Sequence, residues 1–328
     1  YDFETDFHGS EWVKKLNDLA IDCVHLHNLH NDYVNLKILF NYLVKNKIRI
    51  IWTFHDCWPF TGRCPYFTLL KCNKWLENCE NCQYPLKSYP ESFLRKEKKN
   101  LNIKKKLFSM PENMTIVTPS NWLAGLVSQS FFRKYDIKVI NNGIDLNTFN
   151  YKGDKFRVKN KLEDKYIILG VAFDWGIRKG LDIFIEMSKK VSDQYVFVLV
   201  GTNEEIDKIL PKNFISIHKT NNQEELAEIY SSADVFFNPT REDNYPTVNM
   251  EAIACNVPVV TFETGGSAEI VSKDTGFAVC DNSIEKSLEN IKNICENKVF
   301  KGRDFKTFSQ KFDKNERFKE YIALYNEK

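Results

Sequence analysis

Apolar positions along this chain keep two periods in alternation. Runs such as YIILGV (Tyr166–Val171) and YVFVLV (Tyr195–Val200) are apolar at nearly every position, the pattern of a strand buried on both faces. Between such runs the apolar positions open to helical spacing, as at Leu36, Leu39, Phe40, Leu43 and Val44. The first half predicts strands at DCVHLHN (Asp22–Asn28) and IRIIWTF (Ile48–Phe54), then a helix through the basic RKEKKNLNIKKK. MTIVTPSNWLAGLV reads as strand then helix, with Ser120 as N-cap, and KVINNG as a last short strand. A polar stretch from Asn141 to Lys165 separates the halves. The second half repeats the alternation with YIILGV, YVFVLVG, FISIHK, DVFFNP, VPVVTF and GFAV. Helices are predicted from Gly180, from Asn222 with Glu225 as its capping-box partner, and from Pro246 in a first turn; NERFKEYIALY closes the chain as another.

This alternation predicts an α/β architecture of parallel sheets with helices on both faces. The 328 residues suit about two such domains, which in tandem give a cleft. Ligands in such sheets bind beyond the carboxyl ends of the strands.

Composition narrows the classes. Hydrophobic residues at 43% and charged residues at 27% are ordinary for a globular protein, and a net charge of +2 argues against bulk nucleic-acid binding. The longest apolar runs fall far short of the roughly 20 residues of a membrane span. The opening YDFETDFHGSEW is acidic and aromatic, unlike a secretory signal, so a cytoplasmic location is expected.

Candidate chemistry gathers at four predicted strand ends of the second half. In GVAFDWGIRKG, Arg178 and Lys179 precede a glycine that opens a helix, a setting suited to a diphosphate. LVGT ends a strand in Gly201. PTREDNYPTVNME places carboxylates around a helix N-terminus, where they can accept hydrogen bonds from a vicinal diol such as ribose. In TGGSAEIV, the small Gly265, Gly266 and Ser267 let backbone amides approach an anion.

The order GV…RKG, VLVG, Asp243-x7-Glu251 with N-x-P between, then PVV…TGGSAEIV resembles the C-terminal half of GT-B-fold retaining glycosyltransferases. The similarity is to the family-4 type of bacterial exopolysaccharide and capsule biosynthesis; TFHDCWPFTGRC, TPSNWLAG and NGIDLNTF in the first half resemble the same subgroup. The resemblance implies two Rossmann-like domains facing across a cleft. One spans 1–145 on the acceptor side with a cysteine-rich insertion at 57–82. The other spans 146–328 and binds the nucleotide sugar, its last helix packing back on the first. Because relatives begin with a further strand and a glycine-rich turn, the N-terminal domain is expected to be truncated.

By the same resemblance Glu251 meets the nucleotide ribose, Asp243 the donor sugar and Lys179 the diphosphate, with Asn244 beside them. Arg178 stands in for a phosphate arginine that relatives carry in a GR pair; here the pair is GV. Glu242 falls outside the x7 spacing and is set aside. His55, ending the strand in WTFHD, lies near the transferred sugar in relatives. His25 and His27 share a face by alternation, where packing and ligation are both open.

The implied activity is retaining transfer from a nucleotide-diphosphate sugar to a glycan or lipid-linked glycan acceptor, with no cofactor required for catalysis. A nucleotide-sugar-binding protein without turnover is the alternative.

Cys64, Cys72, Cys79 and Cys82 end in a C-x2-C and fit a structural zinc; reduced thiols and disulfides are the other readings. The basic run beside them lacks the interleaved aromatics that stack nucleic-acid bases. Peripheral docking on anionic lipid at the inner face of the cell membrane suits it, as does a solvated face.

Overall fold

Buried strands need neighbours on both edges and helices on both faces, and the chain supplies them in two units. The structure, a computed structural model, describes residues 13, 15–30, 33–88 and 90–327. One unit comprises Tyr1–Asn141 with Leu324–Lys328, the other Asn142–Ala323. The expected truncation turns on the opening residues, most of which lie outside those described.

The first unit holds a parallel four-stranded sheet in the order β1 (Cys23–Leu26), β2 (Arg49–Thr53), β3 (Met114–Thr118), β4 (Asp136–Val139). Its core is aromatic. Trp52 stands edge-on to Phe54, Phe108 and Phe132, with ring centroids 5.0, 4.9 and 5.9 Å away. Each such side chain contributes about 1.5–3 kcal/mol through burial. The helix Glu97–Phe108 takes up the basic run, but not all of that run meets water. Lys104 is buried, its ammonium 3.5 Å from the Trp58 ring centroid and donating to the carbonyls of Trp58 (2.6 Å) and Thr61 (3.0 Å).

Between Phe60 and Glu97 the chain forms a lobe with only one short helical turn, Lys74–Leu76, among its described residues. Arg63, 2% exposed, substitutes for regular structure there. Its guanidinium donates to the carbonyls of Tyr84, Pro85, Leu86, Ser88 and Pro90 at 2.8–3.4 Å.

The second unit carries a parallel six-stranded sheet: β5 (Tyr166–Val171), β6 (Tyr195–Val200), β7 (Phe214–Ile217), β8 (Val235–Asn238), β9 (Val259–Phe262) and β10 (Gly276–Val279). Their spatial order is β10-β9-β8-β5-β6-β7. The chain runs outward from β5 to β7, then crosses back to lay β8 on the other edge of β5. Loops leaving the carboxyl ends of β5 and β8 therefore part in opposite directions, the switch point at which open α/β sheets bind ligands.

Local signals mostly hold, with shifts of a residue or two. Ser120 caps the helix Asn121–Val127 through Leu123 N–H at 3.1 Å. Asn222 caps Gln223–Ser231 through Glu225 N–H at 2.9 Å, but Glu225 bonds back to Asn221 rather than Asn222. Pro246 stands at the N-cap of the helix Thr247–Ala254, not in its first turn, and Glu251 is the fifth helical residue. No helix among the described residues is long and apolar enough to cross a membrane.

Candidate active site

The loops after β5 and β8 meet at the switch point. After β5, a tight turn at Ile177–Lys179 precedes the helix Leu181–Ser188. Trp175 anchors this loop by donating its indole N–H to the Val200 carbonyl at 2.9 Å. The loop after β8 is stitched to it. Arg241 N–H donates to the Arg178 carbonyl at 2.8 Å, and the Arg178 guanidinium donates to the Glu242 carbonyl at 3.3 Å. Arg241 also forks onto both carboxylate oxygens of Asp182 at 2.7 Å. With the loops fixed, Lys179 Nζ lies 2.6 Å from Asp243 Oδ2, both side chains mostly buried.

The structure brings together Arg178, Lys179, Asp243 and Asn244. Asp243 Oδ1 accepts from Asn244 N–H at 2.9 Å. Glu251 sits apart, inside its helix, where its Oε2 accepts from the Tyr230 hydroxyl at 3.1 Å. Burial raises the Glu251 carboxyl above its ordinary range, against the opposing hydrogen bonds of Tyr230 and Thr247. Glu242, set aside on spacing, is buried at 6% exposure and is no solvated bystander.

The glycines at the other strand ends let backbones touch. A Cβ on Gly265 (φ +58°) would stand 1.8 Å from the Asp243 carbonyl oxygen, and one on Gly201 (φ +87°) 1.8 Å from that of Ala172. These approaches exclude any side chain. Gly266 N–H donates to the Asn244 carbonyl at 2.7 Å, so here it serves the loop rather than an anion. The Ser267 hydroxyl is fully buried, bonded to Thr261 Oγ1 at 3.0 Å and accepting from Asn249 at 3.1 Å; Asn249 in turn accepts from Asn238 at 2.8 Å.

Sequence reasoning missed Tyr230, Arg241 and this buried polar network. The signal for the network was present: Asn238 ends an otherwise apolar VFFN, and Thr261 interrupts VVTF.

In the first unit, His55 follows β2 and its Nε2 lies 2.9 Å from His27 Nδ1. His25 bonds Tyr325 OH at 2.7 Å and Thr53 Oγ1 at 2.8 Å. His30 pairs with Asp56 at 3.2 Å. Burial lowers His25 to about 4, helped by His27 and His55, and also lowers His27 and His55.

All four predicted zinc cysteines, Cys64, Cys72, Cys79 and Cys82, border one cavity of about 160 Å³ in the lobe. Among the described residues no three His, Cys, Asp or Glu side chains are arranged to hold a metal ion, and all four thiols are free. Burial pushes Cys64 up to about 12 and Cys79 to about 11.

Residues 152–321, more than half of the chain, match the family described as Glycosyl transferases group 1, and residues 6–148 match Glycosyltransferase Family 4. The chain belongs to the glycosyl transferases group 1 family and is a glycosyltransferase. It is 24% identical over 321 residues to the putative colanic acid biosynthesis glycosyl transferase WcaC of Escherichia coli (strain K12), across 92% of this chain and 75% of that one. Among solved structures, a sucrose-phosphate synthase from Thermosynechococcus elongatus superposes with a TM-score of 0.71 at 17% identity, covering 96% of this chain and 76% of that one. Anabaena HepE in complex with UDP gives 0.68 at 15%, covering 95% and 81%. These likenesses show the shared fold, GT-B, with its two parallel-sheet α/β domains.

Proposed function

We propose that this chain transfers a sugar, with retention, from a nucleotide-diphosphate sugar to a glycan or lipid-linked glycan acceptor in exopolysaccharide or capsule biosynthesis. The observation that carries the reading is the Lys179–Asp243 pair at the switch point of the second sheet, with Arg178 on the same loop. Without donor, Asp243 holds the Lys179 ammonium. A diphosphate offers that cation a denser negative charge, so donor binding exchanges one partner for the other and releases Asp243 to a sugar hydroxyl. Lys179 and Arg178 then stabilise the negative charge that grows on the leaving diphosphate. The bond from the anomeric carbon to phosphate breaks as the bond to the acceptor oxygen forms on the same face. The departing phosphate oxygen takes the acceptor's proton. Glu251 holds the ribose, and His55 serves near the transferred sugar.

The UDP complex of the Anabaena neighbour supports a nucleotide donor, and the colanic acid relative supports a polysaccharide product. Peripheral membrane contact through the first unit belongs to the same reading. Phe93 and Leu94, 97% and 59% exposed, lead into a helix with exposed Lys98, Lys99 and Lys106, a combination suited to anionic lipid. A structural zinc at the four-cysteine cavity belongs to this reading too, and would require the thiols to turn toward one another, since as they stand they form no ligand set among the described residues. A thermal-shift screen across UDP-, GDP-, ADP- and CMP-sugars tests the donor, and the anomeric configuration of the product by NMR tests retention. Stabilisation by none of these donors, or an inverted product, rejects the reading.

A further inference from the structure

Three imidazoles meet at the carboxyl ends of β1 and β2. The His27 and His55 rings stack with centroids 5.2 Å apart and 19° between planes, and His25 lies against His27 at 4.2 Å. The His27 Nδ1 to His55 Nε2 distance is 2.9 Å. Two ring nitrogens at that separation form a hydrogen bond only when one carries the proton and the other a lone pair. The tautomers of the two rings are therefore tied: whichever His55 adopts, His27 holds the complementary one. His27 is itself held from below, because the indole N–H of fully buried Trp52 donates to the His27 carbonyl at 2.9 Å.

We infer that His27 is a positioning residue for His55, fixing the plane of its ring and coupling its tautomer to that of His27 through the Nδ1–Nε2 hydrogen bond. The inference rests on the reading of His55 as the residue beside the transferred sugar. With Nε2 engaged by His27, the tautomer decides whether His55 Nδ1 donates or accepts, and a sugar oxygen is recognised differently in each case. The groups that set the charge of His55 are His27 and His30, which disfavour its protonation, and Asp56, which favours it. Burial acts in the same sense as the two histidines and is the largest influence. His25, with its Tyr325 and Thr53 partners, adds to the crowding of His27.

The test is the ring-nitrogen NMR spectrum of histidine-labelled protein, comparing the parent with His27→Ala and His27→Asn. Asparagine sets its amide close to the place of the imidazole Nδ1, so it preserves the hydrogen bond without the ring. The parent is expected to show His27 Nδ1 and His55 Nε2 as one hydrogen-bonded donor and acceptor pair, with complementary tautomers. His27→Ala should remove the hydrogen-bond shift of His55 Nε2, and His27→Asn, whose amide can meet either tautomer, should restore it. Both variants should raise the His55 titration midpoint, since each removes a neighbour that can be protonated. Ring shifts and midpoint of His55 unchanged in His27→Ala overturn the inference, and so does a His27→Asn variant that keeps its fold yet shows the His55 Nε2 shift of His27→Ala. Turnover of UDP-glucose supplies the functional arm. His27→Ala should lower kcat roughly tenfold at similar KM, with recovery in His27→Asn. A His55→Ala variant as active as the parent overturns the reading of His55 while the ring coupling stands.

Discussion

Lys179 and Asp243 are joined at 2.6 Å across two loops that leave β5 and β8 in opposite directions. A ligand entering that crevice must break the pair or sit against it. Lys179→Ala is therefore expected to weaken UDP binding by tenfold or more and uridine binding little, since a charge-assisted bond is worth about 1.5–3 kcal/mol and only UDP carries the partner charge. Calorimetry with both ligands checks this; equal losses reject the diphosphate role.

Glu251 and Tyr230 form a second pair, at 3.1 Å. Glu251→Gln should weaken nucleotide binding by roughly tenfold while the fold persists. Tyr230→Phe removes the hydrogen bond that orients the carboxylate, with an expected loss of about threefold. Unchanged affinity in Glu251→Gln sinks the ribose assignment. Glu242→Gln does not serve as a neutral control, because Glu242 is buried; it is expected to lower the Tm more than the affinity.

Gly265→Ala tests the backbone contact with Asp243. The new Cβ meets a carbonyl oxygen at 1.8 Å from a left-handed backbone, so the loops must separate. A loss of about 2 kcal/mol or more is expected in denaturant unfolding. A stability equal to that of the parent shows that the two loops do not need to touch.

The histidine cluster makes the first unit sensitive to acid. Burial holds His25 at about 4, below its unfolded value of 6.5. The unfolded chain therefore binds more protons between these values, and stability falls as pH drops from about 6.5 toward 4. The Tm should decline over that window, and His25→Gln should flatten the slope. A parallel decline in both proteins assigns the acid sensitivity elsewhere.

The spacing of the four cysteines, rather than their present arrangement, is what calls for a zinc test. If the ion draws the thiols together, protein purified after growth with zinc should carry about one ion per chain, and Cys79→Ser/Cys82→Ser should lose it while nucleotide binding persists. Elemental analysis without metal, with all four thiols titratable in the folded protein, excludes the site.

Much of this was legible beforehand because parallel strands announce themselves. YIILGV and GFAV span β5 and β10 to the residue, since a strand buried on both faces tolerates few polar positions. Lys179 and Asp243 were found because both follow such strands. Their pairing was not legible, because it depends on β8 crossing back to β5, a contact 64 residues long-range. Burial was the other blind spot. Lys104 reads as one more lysine in a basic run, yet its position on the inner face of the helix takes it under the Trp58 ring. Spacing alone likewise could not show that Glu242 points inward.

Arg63 leaves a different kind of record. The stretch it organises, YPLKSYP, is held by bonds to carbonyls, which every amino acid carries. Sequence drift along that stretch therefore leaves its anchoring untouched, whereas no replacement at position 63 supplies the same fork of donors; even lysine has a single nitrogen. The shape of this surface is thus inherited through one codon. Its chemistry, by contrast, can be rewritten residue by residue, which makes the lobe a ready place for one glycosyltransferase scaffold to acquire new surface contacts.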